Sequence, residues 1–394
     1  MEAIVAGHIC LDVFPTIVAD TIVFKPGQTV EAGPAVLSTG GAVSNTGLAL
    51  NKLGISTGLM GKVGSDLFGQ AILQILESHG SGYSDGMVVV PGESSSYSII
   101  ISPANADRMV IHAPGCNATF GADDVHYATL EGVRLFHFGY PPLMERMYIN
   151  EGAELATIFQ RVKAMGITTT LDLSMPDPNS AAGRADWHVI LGATLPNVDV
   201  FLPSAEEILL MLRRELFDQY TANPLASRPL ECMKPEIFSQ LGQTLLDMGA
   251  KIVGLKAGDR GLYLRTASAS ALATMGGCEV EDVASWSNRE LWSPCFATQV
   301  VGTTGSGDAT IAGFLMGLLQ DMTPEETLQA ACAVGACNVE AVDALSGIRS
   351  WFQTAERLKT GWPRLPVALE LEKAGWSWDG THEVWVGPQE RKPV

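Results

Sequence analysis

The run Val300-Val301-Gly302-Thr303-Thr304-Gly305-Ser306-Gly307-Asp308-Ala309-Thr310, continued by small and apolar residues over 311–319, sets a glycine-rich turn directly ahead of a buried helix. Glycines admit backbone conformations and close ligand approach that a side chain would block. The first N–H groups of a helix have no partner within it and face outward as an anion site, which suits a phosphate. An acid beside them is favoured as its carboxylate by about 0.3–1 kcal/mol when exposed. Asp308 is therefore expected to be ionised and able to take a proton from a hydroxyl. Gly305-Ser306-Gly307-Asp308 would equally make a tight turn with Asp308 capping the helix. Neither G-x-x-x-x-G-K-[ST] nor G-x-G-x-x-G is present here, so the nucleotide-binding schemes built on those patterns are not supported.

Other groups suited to binding are spread along the chain. Gly40-Gly41 precedes a helical segment with Asn45 in its first turn, which a turn and a cap would also explain. Asp12, in Gly7-His8-Ile9-Cys10-Leu11-Asp12, is an acceptor-only group able to take hydrogen bonds from hydroxyls, or else a loop aspartate. Asn117, in Gly115-Cys116-Asn117, suits a turn as well as it suits a ligand. Pro203-Ser204-Ala205-Glu206-Glu207 follows a strand and opens a helix, so Ser204 and Glu207 also read as a capping box. Lys256-Ala257-Gly258-Asp259-Arg260-Gly261 is a hairpin-like turn between two expected strands. Ala331-Cys332-Ala333-Val334-Gly335-Ala336 is a run of small residues that lets a helix pack closely.

These residues are separated by short apolar runs that alternate with longer helical segments, the pattern of a parallel sheet covered by helices. Strands are expected over 3–6, 57–60, 135–138, 168–173, 198–202, 252–256 and 261–264, and helices over 44–53, 67–79, 151–165, 205–212 and 234–248. The fold class is α/β. Two stretches break the rhythm: 13–38, rich in Val, Ile and Thr, and 96–112, where 97–102 and 108–112 flank Pro103-Ala104-Asn105-Ala106-Asp107 as a β-hairpin. Together these inserts make a small β-structure that could cover a cleft of a body spanning 1–362. The remainder, 363–394, mixes prolines, charges and Trp376, Trp378 and Trp385, and is expected to dock on that body as an extension.

Bulk composition narrows the partners. With 46% hydrophobic and 17% charged residues, the 394-residue chain has ample material for a large core. Lys and Arg total 25 against 43 Asp and Glu, a net charge of −18 with no basic run, which argues against nucleic acid and anionic membranes. The seven cysteines are scattered without a Cys-x-x-Cys pair, so neither a disulfide framework nor a thiolate zinc site is expected. The start, Met1-Glu2-Ala3-Ile4-Val5-Ala6-Gly7, lacks the basic and long apolar parts of a secretion signal, and no segment is apolar over a membrane's thickness. The expected setting is a reduced cytoplasm.

Gly302 to Asp308, with Ala309-Thr310-Ile311-Ala312-Gly313-Phe314 after it, resembles the C-terminal signature of the ribokinase-like (PfkB) carbohydrate kinase family. Gly40-Gly41-Ala42-Val43-Ser44-Asn45-Thr46-Gly47 through Gly54, then Gly61-Lys62-Val63-Gly64-Ser65-Asp66-Leu67-Phe68-Gly69, is similar to its N-terminal block. The two signatures stand in the family's order, and the resemblance covers about residues 1 to 360. It implies a three-layer fold: a mainly parallel central sheet, helices on both faces and a small β lid. It implies ATP-dependent, Mg²⁺-requiring phosphorylation of a hydroxyl on a sugar or sugar-derived molecule, with Asp308 as general base beside Gly305, Ser306 and Gly307. Asp12, Gly40, Gly41, Asn45 and Asn117 would then hold the acceptor. Lys256, Gly258 and Gly261 would line the ATP site, with Cys332 and Gly335 against the adenine. Ser204 stands where relatives carry an Asn, three residues before a Glu that organises metal and phosphates. Glu207 is thus the metal candidate, through waters, because Mg²⁺ sheds its hydration reluctantly.

The departures carry information too. Gly302 replaces the Asp common in members activated by a monovalent cation, which argues against potassium activation. Ala42 replaces a frequent Lys, and Asp172-Leu173-Ser174-Met175-Pro176 stands where several sugar kinases have an Asn and an Arg, so no particular sugar is implied. The Leu-Ser-x-Pro stretch resembles nucleoside kinases of the family, which makes a nucleoside kinase the alternative within the enzyme class. A non-catalytic ligand-binding relative is the alternative outside it, on the strength of Gly302, Ser204 and Ala42. Exposed lid strands offer edges through which two chains could pair as a homodimer.

Overall fold

Strand-forming apolar runs build two sheets in a computed structural model that describes residues 1–17, 26–27, 29–101, 109–278 and 282–390. The strands are β1 (Ala3–Gly7), β2 (Cys10–Ile17), β3 (Ala32–Gly40), β4 (Thr57–Gly64), β5 (Met87–Val90), β6 (Tyr97–Ile101), β7 (Met109–Ala113), β8 (Leu135–Gly139), β9 (Thr168–Leu171), β10 (Val200–Phe201), β11 (Ile252–Lys256), β12 (Leu262–Thr266), β13 (Glu290–Ser293), β14 (Ser377–Asp379) and β15 (Val384–Val386). The main sheet has eleven strands in the order β14-β15-β13-β12-β11-β10-β9-β8-β1-β4-β5. From β11 to β5 all neighbours run parallel, and from β11 to β14 they alternate.

Burial on both faces explains why the parallel strands read as continuous apolar runs. Along β1, Ala3 and Val5 join one core cluster, shared with Phe314 and Ala331, while Ile4 and Ala6 join a second, shared with Phe138 and Phe159. That alternation defines three layers. The helices Ala42–Lys52, Ser306–Leu319 and Pro324–Asn338 cover the first face. The helices Ala153–Ala164 and Pro235–Asp247 cover the second.

The second sheet, β3-β2-β6-β7, is the lid drawn from the two expected inserts. Its β6–β7 hairpin runs Tyr97 to Ala113, while the proposed turn at 103–107 and most of the 13–38 insert's middle lie outside the described residues. The lid reaches further toward the body than its sequence limits: β2 starts at Cys10 and β3 ends at Gly40, so Asp12 lies on a strand rather than in a loop. Residues beyond 362 join the main sheet, with β15 on β13 and Trp376 packed 6.0 Å from both Tyr263 and Trp292, ring centre to ring centre. Among the described residues, no helix is long and apolar enough to cross a membrane.

Candidate active site

The Ser306–Leu319 helix begins after Gly305, whose φ of 72° lies in the left-handed region. Asp308 is the third residue of this helix and not its cap. Its carboxylate turns toward the Ala42–Lys52 helix, where Asn45 Nδ2 donates to Oδ2 at 3.0 Å and Thr46 Oγ1 to Oδ1 at 3.4 Å. The Tyr140 hydroxyl lies 2.9 Å from Oδ1 and 2.8 Å from Oδ2. Asp308 is only 3% exposed, and burial raises its pKa, opposed by the bonds from Asn45 and Tyr140 and by the charge of Lys256. The net shift is upward from the ordinary aspartate range, because desolvation outweighs these donors and the lysine.

Asp308 faces a cavity of about 700 Å³ beneath the lid, together with Asp12, Gly41, Asn45 and Gly305. Gly40 is a spacer, since a Cβ there would sit 2.1 Å from Asp12 Oδ2. Gly41, at φ 86°, caps the Ala42–Lys52 helix, and its Cβ would meet His8 at 2.5 Å. Cys10 Sγ donates to Asp12 Oδ1 at 3.2 Å. Asn117 differs from the role the resemblance implies. Its Nδ2 donates to Ile9 O at 2.7 Å, its Oδ1 accepts from Ile9 N at 3.4 Å, and the residue is fully buried outside the cavity lining. It clamps the link between β1 and β2.

On the other side of the Gly305–Asp308 turn lies a cavity of about 460 Å³, whose lining includes Lys256, Gly258, Gly261, Cys332 and Gly335. Ser306 and Gly307 border it as well, and Leu262, Phe296, Val339 and Leu365 give it apolar wall. Gly261 stands at φ 101°, where a Cβ would fall 2.0 Å from Ser293 O. Gly335 allows the Ser306–Leu319 and Pro324–Asn338 helices to approach, since its Cβ would meet Thr310 Oγ1 at 2.4 Å. Cys332 Sγ lies 3.7 Å from Ser293 O.

A polar cavity of about 340 Å³ lies between, lined by Asp172, Ser204, Glu207, Arg228 and Lys256 as well as by the Gly305–Asp308 turn. Lys256 Nζ donates to Asp172 Oδ1 at 2.6 Å. Burial opposes the Lys256 charge, but Asp172, Glu207 and Asp308 outweigh it and raise its pKa. Burial likewise raises Asp172, with Glu207 and Asp308 adding and Lys256 opposing. Ser204 and Glu207 form the capping box: Ser204 N donates to Glu207 Oε2 at 2.8 Å, and Glu207 N to Ser204 Oγ at 3.2 Å. Among the described residues, no three acidic, His or Cys side chains converge as a metal cage. Gly302 is packed so that a Cβ would lie 2.8 Å from Ala341 O and 2.9 Å from Val342 O.

Sequence reading missed Tyr140, His8, His112 and Leu365 as site residues. Tyr140 follows β8 at a φ of 66° and is followed by two prolines, so Gly139-Tyr140-Pro141-Pro142 held a detectable sign of a chain reversal at a strand's C-terminal end. The others carried no local signal.

Residues 4–350 match the family model described as "pfkB family carbohydrate kinase". An uncharacterized sugar kinase of Archaeoglobus fulgidus is 25% identical over 294 residues, covering 75% of this chain and 95% of its own. Ribokinase of Arabidopsis thaliana, solved with ribose and ATP, superposes with a TM-score of 0.67 at 19% identity, covering 91% of this chain and 98% of its own. A putative ribokinase II from E. coli, solved with ATP and Mg²⁺, gives 0.66 at 19% identity, covering 91% and 99%. With two cavities meeting at the glycine turn and a family match over nearly its whole length, the chain belongs to the pfkB family of carbohydrate kinases.

Proposed function

We propose that this protein transfers the γ-phosphoryl group of ATP to a hydroxyl of a sugar or sugar-derived acceptor, and that Asp308 takes the hydroxyl proton. The observation that carries this reading is the position of Asp308 on the 700 Å³ cavity while Ser306 and Gly307 border the 460 Å³ one. Two substrates held there would meet at one carboxylate, and such positioning is most of what phosphoryl transfer requires.

The residues present fit both ATP and Mg²⁺. Apolar wall from Leu262, Phe296 and Leu365 suits a base, and the first-turn amides of the Ser306–Leu319 helix with Lys256 suit phosphates. Asp172, Glu207 and Asp308 crowd around a single lysine, an excess of negative charge that a cation would relieve. Lacking a side-chain cage, they would hold Mg²⁺ through waters and phosphate oxygens. Bound there, it would neutralise charge on the transferring group. Tyr140 and Asn45 orient the Asp308 carboxylate, whose oxygens accept the acceptor's proton. The lid strands carrying Asp12 would exclude water, which competes as phosphoryl acceptor. No carboxylate is available at Gly302 for a monovalent cation, so potassium is not part of the reading.

Two further parts belong to it. Edge strands β3 and β7 expose Val36, Leu37, Met109 and Ile111, apolar surface that a second copy's lid would cover. All seven cysteines are free, which suits a reducing cytoplasm.

The test is Asp308→Asn, which should keep ATP binding by calorimetry while lowering turnover about 10²–10⁴-fold. Near-normal turnover would remove Asp308 from the role. ATP binding without turnover by the wild type on any sugar or nucleoside would favour a non-catalytic relative.

A further inference from the structure

The seven cysteines are scattered along the sequence, yet the fold brings two of them together. Cys295 follows the end of β13, and Cys332 lies on the Pro324–Asn338 helix, which packs against that strand. Cys332 Sγ approaches Ser293 O at 3.7 Å, two residues before Cys295, and Cys295 Sγ donates to Gly258 O at 3.3 Å. The two thiols also hydrogen-bond one another. Both line the 460 Å³ cavity beside Gly258 and Gly261.

Paired thiols release a first proton readily and a second with difficulty, because the thiolate left by the first accepts a bond from the remaining S–H. Cys332 is the better place for that thiolate. Cys295 donates to it, against the cost of burial, and the charge of Arg364, the Ser293 side chain and the Leu262 backbone add to the effect, so its pKa falls below the ordinary thiol value. The same bond, with burial, raises Cys295. Arg364 is fixed nearby by bonds to Pro294 O at 2.9 Å and Ser293 Oγ at 3.3 Å, and its Nη2 is buried without a partner among the described residues. Cys10, Cys116, Cys278 and Cys337 are instead held as thiols by burial, Cys116 and Cys278 being pushed up to about 11. The thiolate is the reactive form of cysteine, so reactivity concentrates at the pair.

Resting on the ATP reading of this cavity given above, we propose that Cys295 and Cys332 are an oxidisable pair whose reversible disulfide hinders nucleotide binding. The oxidant is a peroxide, small enough to enter the cavity. Cys332 sulfur attacks one peroxide oxygen, the O–O bond breaks, and the departing hydroxide takes up the proton that Cys332 had released, leaving water and a sulfenic acid. Cys295 sulfur then attacks Cys332 sulfur, the S–O bond breaks, and the hydroxyl leaves with the Cys295 proton as a second water. Two thiols are thus oxidised by two electrons and one peroxide is reduced to two waters; a dithiol reductant reverses the change. The disulfide has no S–H, so the bonds to Gly258 O and Ser293 O are lost where the cavity wall turns. Nucleotide and oxidation would oppose each other reciprocally, each weakening the other's hold on the protein. A disulfide formed in this way is transient, which agrees with all seven cysteines being free.

The reduced full chain is treated with hydrogen peroxide, with and without ATP, then alkylated and read by intact mass and peptide mapping. Calorimetry gives the ATP affinity before and after oxidation. Loss of two hydrogens is expected, with the Cys295 and Cys332 peptides joined and the link reversed by dithiothreitol. Saturating ATP should slow the link at least tenfold, and oxidation should weaken ATP binding at least tenfold. Cys295→Ser should form no link and should carry its oxidation on Cys332 as a sulfinic acid that dithiothreitol does not reverse; oxidation elsewhere in this variant removes Cys332 from the attacking role. A wild type that joins neither cysteine, or joins one to a different cysteine, overturns the inference. A link that forms as fast with ATP bound and leaves ATP affinity unchanged overturns the effect on nucleotide. A reduced chain that forms the link but binds no ATP overturns the reading of the cavity as an ATP site and leaves the disulfide standing.

Discussion

Tyr140 holds its hydroxyl within hydrogen-bond reach of both Asp308 oxygens, from a backbone conformation that costs energy for any residue bearing a Cβ. Burial and the neighbouring carboxylates raise the Tyr140 pKa well above its ordinary value, so the phenol stays a donor and never competes as the base. Its bond favours the ionised form of Asp308. A base must be deprotonated to act, so turnover should fall as pH drops through the raised Asp308 pKa, giving an acid limb above the ordinary aspartate value of about 3.9. Tyr140→Phe removes a donor to the carboxylate. It should lower kcat at neutral pH about 10- to 100-fold, consistent with the ~1.5–3 kcal/mol of a bond to a charged group. It should also move the acid limb of kcat to higher pH, whereas a limb that stays put would make Tyr140 a packing residue only. Asp308 itself was legible in the sequence through its glycine turn, but its burial was not: desolvation comes from residues brought up by the Ala42–Lys52 helix and by Tyr140, far away along the chain.

The elements that bring these groups together were readable where periodicity is strong, and the strand core from β1 to β12 was expected at nearly every position. The short strands β5, β13, β14 and β15 were not, since runs of three or four residues give pattern little length to register, whereas the equally short β9 and β10 lie within the longer stretches 168–173 and 198–202. Asp12 is the instructive case. A lone Asp after Gly7 looks like a loop residue, and only the pairing of β2 with β3 makes it a strand residue set against Gly40. The segment after Trp362 shows the same limit. Leu365 N donates to Cys295 O and Ala297 N to Pro363 O, each at 2.8 Å, and Arg364 lies 3.8 Å over the Phe296 ring. This stitching carries Leu365 into the wall of the 460 Å³ cavity proposed to hold ATP, beyond the residues that match the family model. Leu365→Ala should therefore raise the KM for ATP about three- to tenfold, the loss of ~1 kcal/mol of apolar contact, while leaving the acceptor's KM alone. An unchanged KM for ATP would show that the base does not reach this wall.

Over the whole molecule, a net charge of −18 keeps unlike surfaces soluble but does not prevent pairing through neutral apolar patches. The lid's two edges are such patches, so Leu37→Asp combined with Ile111→Asp should turn a dimer into a monomer by light scattering without altering thermal unfolding of the body. A wild-type chain that already runs as a monomer would sink the pairing. The lid could be anticipated from the two stretches that break the α/β rhythm, and the two-site plan only from the resemblance to the family. The lid's exposed faces could not, because exposure depends on which strand ends at an edge. The place of Leu365 also bears on the order in which the protein is made. A ribosome releases Gly305–Asp308 and the helices Ser306–Leu319 and Pro324–Asn338 before Leu365, one of the residues lining the 460 Å³ cavity. A nascent chain stopped at Ser350 would have its whole family-matching length in place and still lack Leu365, so a ligand in that cavity would meet its full apolar wall only after the family-matching residues had emerged.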